Sequence, residues 1–453
     1  MVMPESWKQS ELGEVLLSIV GGGTPSKSNP SFYEGDIPWM SVKDMNKNIL
    51  NDTVDHISEE AVENSSTNVI PSGTPIIATR MSLGKIVVAN FDSAINQDLK
   101  ALFPATGVNR DFLIGWYRSI AKKIEALGTG TTVKGIRLDV LNSLECPLPP
   151  LAEQKVIADK LDTLLAQVEA TKARLERIPD ILKTFRQSVL SAAVSGKLTK
   201  EWRKENKVSI ESWLSTNIGE LAKVATGKTP KRTNIEYWEG GDIPWLTSAA
   251  TGSSVTLEAE QFVTKLAVKE CTLKVFPIGT LLLAMYGEGK TRGQVTELQL
   301  EATCNQACAA ILVDEKKVSK EFVKLRLQEN YEETRKVAVG GAQPNLNLNK
   351  VREIKVELPS ELEQTQIVRR VEELFAFADS IEQKANAALE RVNNLTQSIL
   401  AKAFRGELTA DWRAENPDLI SGENSAEALL EKIKAEREAL KQSKKKTKTR
   451  KKV

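Results

Sequence analysis

The chain has 453 residues, 41% of them apolar, which allows about three domains with true cores. Lysine plus arginine (62) nearly balance aspartate plus glutamate (60), so composition alone does not mark the body as a nucleic-acid binder. No run of 18 apolar residues and no basic or apolar leader is present, which argues against a membrane span or secretion. Four cysteines (Cys146, Cys271, Cys304, Cys308) and a lone His56 fit a reducing cytosol and leave too few ligands for a zinc site.

In chain order, residues 1–147 read as a mixed α/β globule. Pro75-Ile76-Ile77-Ala78 and Ile86-Val87-Val88-Ala89, bounded by Gly and Pro, predict strands. Residues 111–127 predict a helix ended by Gly128, followed by a loop over 129–137. Residues 148–205 predict a long helix. A second mixed α/β globule follows over 206–357, with a strand at Thr280-Leu281-Leu282-Leu283-Ala284, a helix over 319–337 ended by Gly340, and a loop over 341–346. Residues 358–415 predict a second long helix. Residues 416–441 then predict a short helix, and the stretch to 453, with eight basic residues and no acid from 441 on, a disordered basic tail.

The segments repeat in order. Residues 148–203 match 358–413 without a gap: Gln187-Ser188-Val189-Leu190 faces Gln397-Ser398-Ile399-Leu400, and Gly196-Lys197-Leu198-Thr199 faces Gly406-Glu407-Leu408-Thr409. The globules match more sparsely, through Gly35-Asp36-Ile37-Pro38-Trp39 and Gly241-Asp242-Ile243-Pro244-Trp245, and through Asn96-Gln97 and Asn305-Gln306. Trp39 and Trp245 read as core. The protein is therefore two copies of one scaffold presenting different surfaces.

Each long helix carries a seam stepping by three and four. In the first copy it runs through Ile157, Leu161, Leu164, Val168, Thr171, Leu175, Ile178, Leu182, Phe185 and Val189. In the second it runs through Ile367, Val371, Leu374, Ala378, Ile381, Ala385, Ala388, Val392, Leu395 and Ile399. So narrow a stripe suits a partner helix, and the partner for each stripe is the other copy. Pro179 should kink the first helix; its counterpart Leu389 carries no such restriction.

Candidate contacts to DNA lie in loops and at strand ends. Thr24, Ser26 and Lys27 of the first Gly-Thr-Pro loop, and Lys228, Lys231 and Arg232 around its counterpart, offer amides, hydroxyls and charge to phosphates. Arg80, Lys85, Lys134 and Arg137 in the first globule, with Tyr286, Lys290, Arg292, Gln343 and Asn345 in the second, have side chains able to contact base edges. Gly287-Glu288-Gly289-Lys290-Thr291 lacks the leading glycine of a phosphate loop, since Ala284 stands there, and reads as a strand connection. Neither a glycine-rich cofactor loop nor an Asn/Asp-Pro-Pro-aromatic tetrapeptide is present, and there is no paired catalytic cluster. The chain alone does not read as an enzyme.

Leu161-Asp162-Thr163-Leu164-Leu165-Ala166-Gln167, Ala401-Lys402-Ala403-Phe404-Arg405-Gly406-Glu407-Leu408-Thr409, the Asp-Ile-Pro-Trp elements and the duplication together resemble the specificity subunits of type I restriction–modification enzymes, and look like their IA subfamily. The resemblance implies two pseudo-symmetric α/β target-recognition domains separated by an antiparallel coiled coil. It implies a non-catalytic subunit whose domains each read half of an asymmetric split site in double-stranded DNA. It further implies two modification subunits forming an N6-adenine methyltransferase with S-adenosylmethionine, and two restriction subunits using ATP and Mg²⁺; no cofactor is expected on this chain. A helix over residues 157–189 would run ~48 Å, or roughly 14 base pairs of duplex, which suits a ruler between two readers. Two other readings stand beside it: a coiled-coil adaptor whose lobes bind proteins, and an NTPase acting through Lys290.

Overall fold

The computed structural model describes residues 3–287, 291–331 and 346–450, with side chains to 443. Two compact units emerge: residues 1–175 with 388–453, and residues 176–387. They do not follow the boundaries of the repeats. Each gathers one globular lobe, the first part of one long helix and the last part of the other.

The first lobe is built on a five-stranded sheet in the order Leu16–Gly21, Leu99–Pro104, Pro75–Ala78, Ile86–Ala89, Ile49–Leu50. All neighbours are antiparallel except the last pair. The second lobe repeats the order with Ala222–Thr226, Cys308–Val313, Leu281–Ala284, Val295–Leu298 and Val255–Thr256, again with a parallel last pair. The predicted strands are present, with Thr280 just outside its strand. In both lobes the Ile-Pro-Trp strand lies in a second sheet, parallel to the strand that precedes Asn96 or Asn305. Trp39 and Trp245 are buried, as their place in matched elements predicts.

Three local expectations change. The 111–127 helix is two, Arg110–Ser119 and Ala121–Leu127, joined at Ile120. Gly128 caps the second piece as expected, its N–H on Glu125 O at 3.3 Å, but its backbone is extended (φ −66°) rather than left-handed. In the second lobe the helix spans Lys320–Glu329, inside the expected 319–337; residues 332–345, with Gly340 and most of the expected loop, lie outside the described residues. The stretch expected to be a disordered tail continues a helix, Ala426–Arg450. Buried Ala426, Leu429 and Ile433 anchor its start on the first lobe, and lysine is a good enough helix former to carry it on.

The first long helix is interrupted at Arg177, giving Leu151–Glu176 and Ile178–Val194, with Pro179 in the opening turn of the second piece, where its missing N–H costs nothing. Its counterpart, with Leu389, is one helix of 44 residues, Glu361–Phe404. Within each unit the helical parts run antiparallel. In the second unit, Glu363 meets Thr199 and Arg203, while further along Arg186 reaches Asp379 and Glu382, both at 2.7 Å. In the first, Glu153 meets Thr409 and Arg413, and Ile157 and Leu161 pack with Leu400 and Ala403.

Along the seam Ile157, Leu161, Val168, Leu182, Val189, Ile367, Val371, Ala378, Ala385 and Val392 are buried, and Leu164, Leu175, Ile178, Phe185, Leu374, Ile381, Ala388 and Ile399 are half-buried. Thr171 and Leu395 are exposed. Toward the helix ends the buried line widens from Val189 to Leu190 and Ala193 in one copy and passes from Ile399 to Leu400 and Ala403 in the other. A helix of 3.6 residues per turn drifts against a strict 3.5 repeat, and these ends face lobe residues as well as a partner helix.

One arrangement occurs twice and fastens the start of each arm to the end of the other. The Glu363 carboxylate, fully buried, accepts from Thr199 Oγ1 (2.7 Å), Arg203 (2.6 Å) and Trp213 Nε1 (2.9 Å). The Glu153 carboxylate, equally buried, accepts from Thr409 Oγ1 (2.6 Å), Arg413 (2.5 Å) and Trp7 Nε1 (2.8 Å). Each arginine also donates to a glycine carbonyl, Gly196 or Gly406. A buried charge tolerates its desolvation only with such complete pairing.

Candidate nucleic-acid interface

At one end of the first lobe's main sheet, four segments meet. The strand ending at Gly21 runs into the Gly-Thr-Pro loop, whose Gly23 N–H donates to Ile95 O at 3.1 Å. A Cβ on Gly22 would stand 1.7 Å from the same oxygen, so the loop lies against the strand end in a way that glycine alone permits. Thr24 Oγ1 then donates to Gln97 Oε1. The next strand's turn is tied to the same place, with Thr79 N–H on Asp98 O (2.8 Å) and the Arg80 guanidinium 3.4 Å from the Asp98 carboxylate. Loop 129–137 closes the cluster: Met81 N–H donates to Lys134 O and Ile136 N–H to Thr79 O, at 3.0 and 2.9 Å.

The structure thus brings together Thr24, Arg80 and Lys134, with Ser26, Lys27 and Lys85 exposed on the same two turns. Ser26 shares a hydrogen bond with Ser28. Arg137 is turned to Asp139 at 2.9 Å, an exposed pair of little energetic weight. Sequence reasoning passed over Gln97, Asp98, Met81 and Lys100. The repetition of Asn-Gln in both halves was the signal for the first; the others carry none. Lys100 Nζ donates to Gln97 O and Leu99 O, and burial lowers its pKa against the opposing pull of Asp98.

The second lobe repeats the frame with other side chains. Thr229 Oγ1 donates to Gln306 Oε1 at 2.6 Å, and a Cβ on Gly227 would lie 1.6 Å from Cys304 O. Met285 N–H takes Ala307 O at 2.8 Å, where the first lobe has Thr79 and Asp98. Lys228 is exposed but already engaged, its ammonium on Thr272 Oγ1 (2.6 Å) and Cys271 O (3.3 Å). Arg232 lies over Trp238 (3.9 Å to the ring centre) and Trp245 (4.7 Å), two rings meeting edge to face. A guanidinium so stacked is oriented before any ligand arrives. Lys231 and Tyr286 are exposed, and Arg292 is half-buried, its Nε without a partner among the described residues. Lys290, Gln343 and Asn345 lie outside the described residues.

Among the described residues no group of three or more His, Cys, Asp or Glu could hold a metal ion, and no helix is long and apolar enough to cross a membrane. The frame can offer two oriented sets of donors and cations on loops pinned by the sheets, and the two sets differ in chemistry.

Comparison with known proteins matches residues 4–180 and 210–391 to the family model described as the type I restriction modification DNA specificity domain. The chain is 37% identical over 456 residues to the type I restriction enzyme StySPI specificity subunit of Salmonella potsdam, covering 96% of both chains. It is 36% identical over 476 residues to the EcoDI specificity subunit of Escherichia coli, again covering 96% of both. In fold it is similar to the crystal structure of an HsdS subunit from Thermoanaerobacter tengcongensis, with a TM-score of 0.60 at 20% identity, covering 90% of this chain and 98% of that one.

Proposed function

We propose a function from one premise: the chain belongs to the type I restriction–modification DNA specificity family. In this reading each lobe reads one half of a bipartite, asymmetric site in duplex DNA, and the paired arms set the spacer. The chain scaffolds two modification subunits, which bring S-adenosylmethionine and methylate adenine, and two restriction subunits, which bring ATP and Mg²⁺. No cofactor is assigned to this chain itself.

One observation carries the reading. The two lobes keep the same strand order and the same Thr–Gln contact at the sheet end, yet surround it with unlike groups: Arg80 against Tyr286, Lys27 against Arg232, Asp98 against Ala307. A shared frame with different displays is what reading two different half-sites requires, since phosphate contacts position a reader and side chains on base edges specify. The near-neutral composition fits as well: most phosphate neutralisation falls to the partner subunits.

Exchanging residues 206–357 for the matching segment of another family member tests it. Methylome sequencing of a host carrying the exchanged chain with its partners should show one half-site changed and the other kept. An adaptor that binds proteins through its lobes would show no change in DNA preference. Insertion of one heptad into both arms, at Thr171 and Ile381, should lengthen the preferred spacer and leave both half-sites as they were; indifference of the spacer to arm length would remove the ruler.

A further inference from the structure

The turn between strands Pro75–Ala78 and Ile86–Ala89 holds Met81 at a φ of +63°. Ser82 N–H donates to Arg80 O at 2.7 Å, which makes Met81 the middle residue of a three-residue γ-turn of the rare, strained kind. A side chain is disfavoured in that backbone region and glycine is the residue that relieves it. The second lobe has Gly287 at the matching place, also at positive φ. In the first lobe the backbone has no freedom to relax. Met81 N–H is held by Lys134 O at 3.0 Å, and Arg80 bridges Gly135.

Little of the methionine side chain packs inside the lobe, since it is 63% exposed. Strain in the chain, with an exposed apolar group as its result, points to a contact made outside the chain. The neighbours indicate what kind. Arg80, Lys85 and Lys134 surround it, a setting unsuited to an apolar protein face and suited to a duplex groove lined by phosphates. On the base edges of the major groove the apolar feature is the C5-methyl group of thymine.

We propose that Met81 packs against the C5-methyl of a thymine in the half-site read by the first lobe, and so is a specificity-determining residue. The inference rests on the DNA-reading function given above. The test uses the assembly of the full chain with its partner subunits and duplexes carrying its recognised site. Thymines of each half-site are replaced one at a time by uracil, which lacks the methyl. The wild-type assembly should lose roughly tenfold in affinity at one such position in the first lobe's half-site. Met81→Gly should bind the thymine and uracil duplexes equally, Met81→Leu should keep the preference for thymine, and the second half-site should respond alike in all three. Relief of the turn should also raise the unfolding temperature of the full Met81→Gly chain. The proposal is overturned if no uracil in that half-site matters, or if Met81→Gly keeps the wild-type preference. An assembly with no sequence preference at all would instead remove the DNA-reading function beneath it.

Discussion

Glu363→Ala should be among the most destabilising single changes in the second unit. The carboxylate is fully buried and takes hydrogen bonds from Thr199, Arg203 and Trp213, and the Arg203 side chain is itself 10% exposed. Truncation leaves a guanidinium in the interior without its counter-charge, a loss of about 3–5 kcal/mol. Glu363→Gln should cost less, about 1–3 kcal/mol. Its amide oxygen can still receive Thr199 and Arg203, while the Trp213 indole N–H then faces an amide donor. Urea unfolding of the full chain followed by circular dichroism reads the change as a shift in midpoint. The decisive measurement is the double variant Glu363→Ala/Arg203→Ala. Removal of both charges leaves neither one stranded, so its loss should fall well short of the sum of the single losses. Additive losses, or a Glu363→Ala chain within 1 kcal/mol of wild type, would refute the argument that this buried pair fastens the arm.

Other expectations follow from single contacts. Gly227→Ala places a Cβ on the Cys304 carbonyl, which no side-chain rotation can accommodate. The Gly227-Lys228-Thr229-Pro230 loop must shift, and recognition of one half-site should fall at least tenfold while the other is kept, as read by duplex binding of the assembly. For Glu297, burial alone would raise the pKa, but the ammonium groups of Lys320 (2.9 Å) and Lys324 (3.3 Å) outweigh it and hold the carboxyl below its ordinary value of 4.5. A depressed folded-state pKa stabilises the fold above the unfolded value, and that contribution disappears as pH falls through the folded one. Glu297→Gln should therefore lower the urea midpoint at pH 7, and the difference from wild type should shrink as the pH is taken below about 4.5. A gap that persists unchanged into acid would show that the charge is not the cause.

Much of the architecture was legible along the chain because it is written in short-range patterns. The duplication, the strands at Pro75–Ala78 and Leu281–Ala284 and the amphipathic arms all follow from residue spacing. The Gly-Thr-Pro and Asn-Gln phrases were visible too, though not that Thr24 meets Gln97 and Thr229 meets Gln306. The exposure of Leu395 was not legible either, since a strict heptad register does not include the drift of a real helix or the lobe packed at its end.

The sequence by itself determined that there are two copies of one scaffold, where each copy carries its apolar stripe, and which loops hold glycine beside hydroxyls and cations. Periodicity and turn chemistry act over a few residues, so they survive without knowledge of the fold. Tertiary structure decided the partners. It set Glu153 against Arg413 and Glu363 against Arg203, tied Lys228 to Thr272, laid Arg232 on two tryptophans and left Met81 strained and exposed. A charge in a sequence has a sign but no address. Its energy depends on the distance to an opposite charge and on the water between them, and folding alone fixes both.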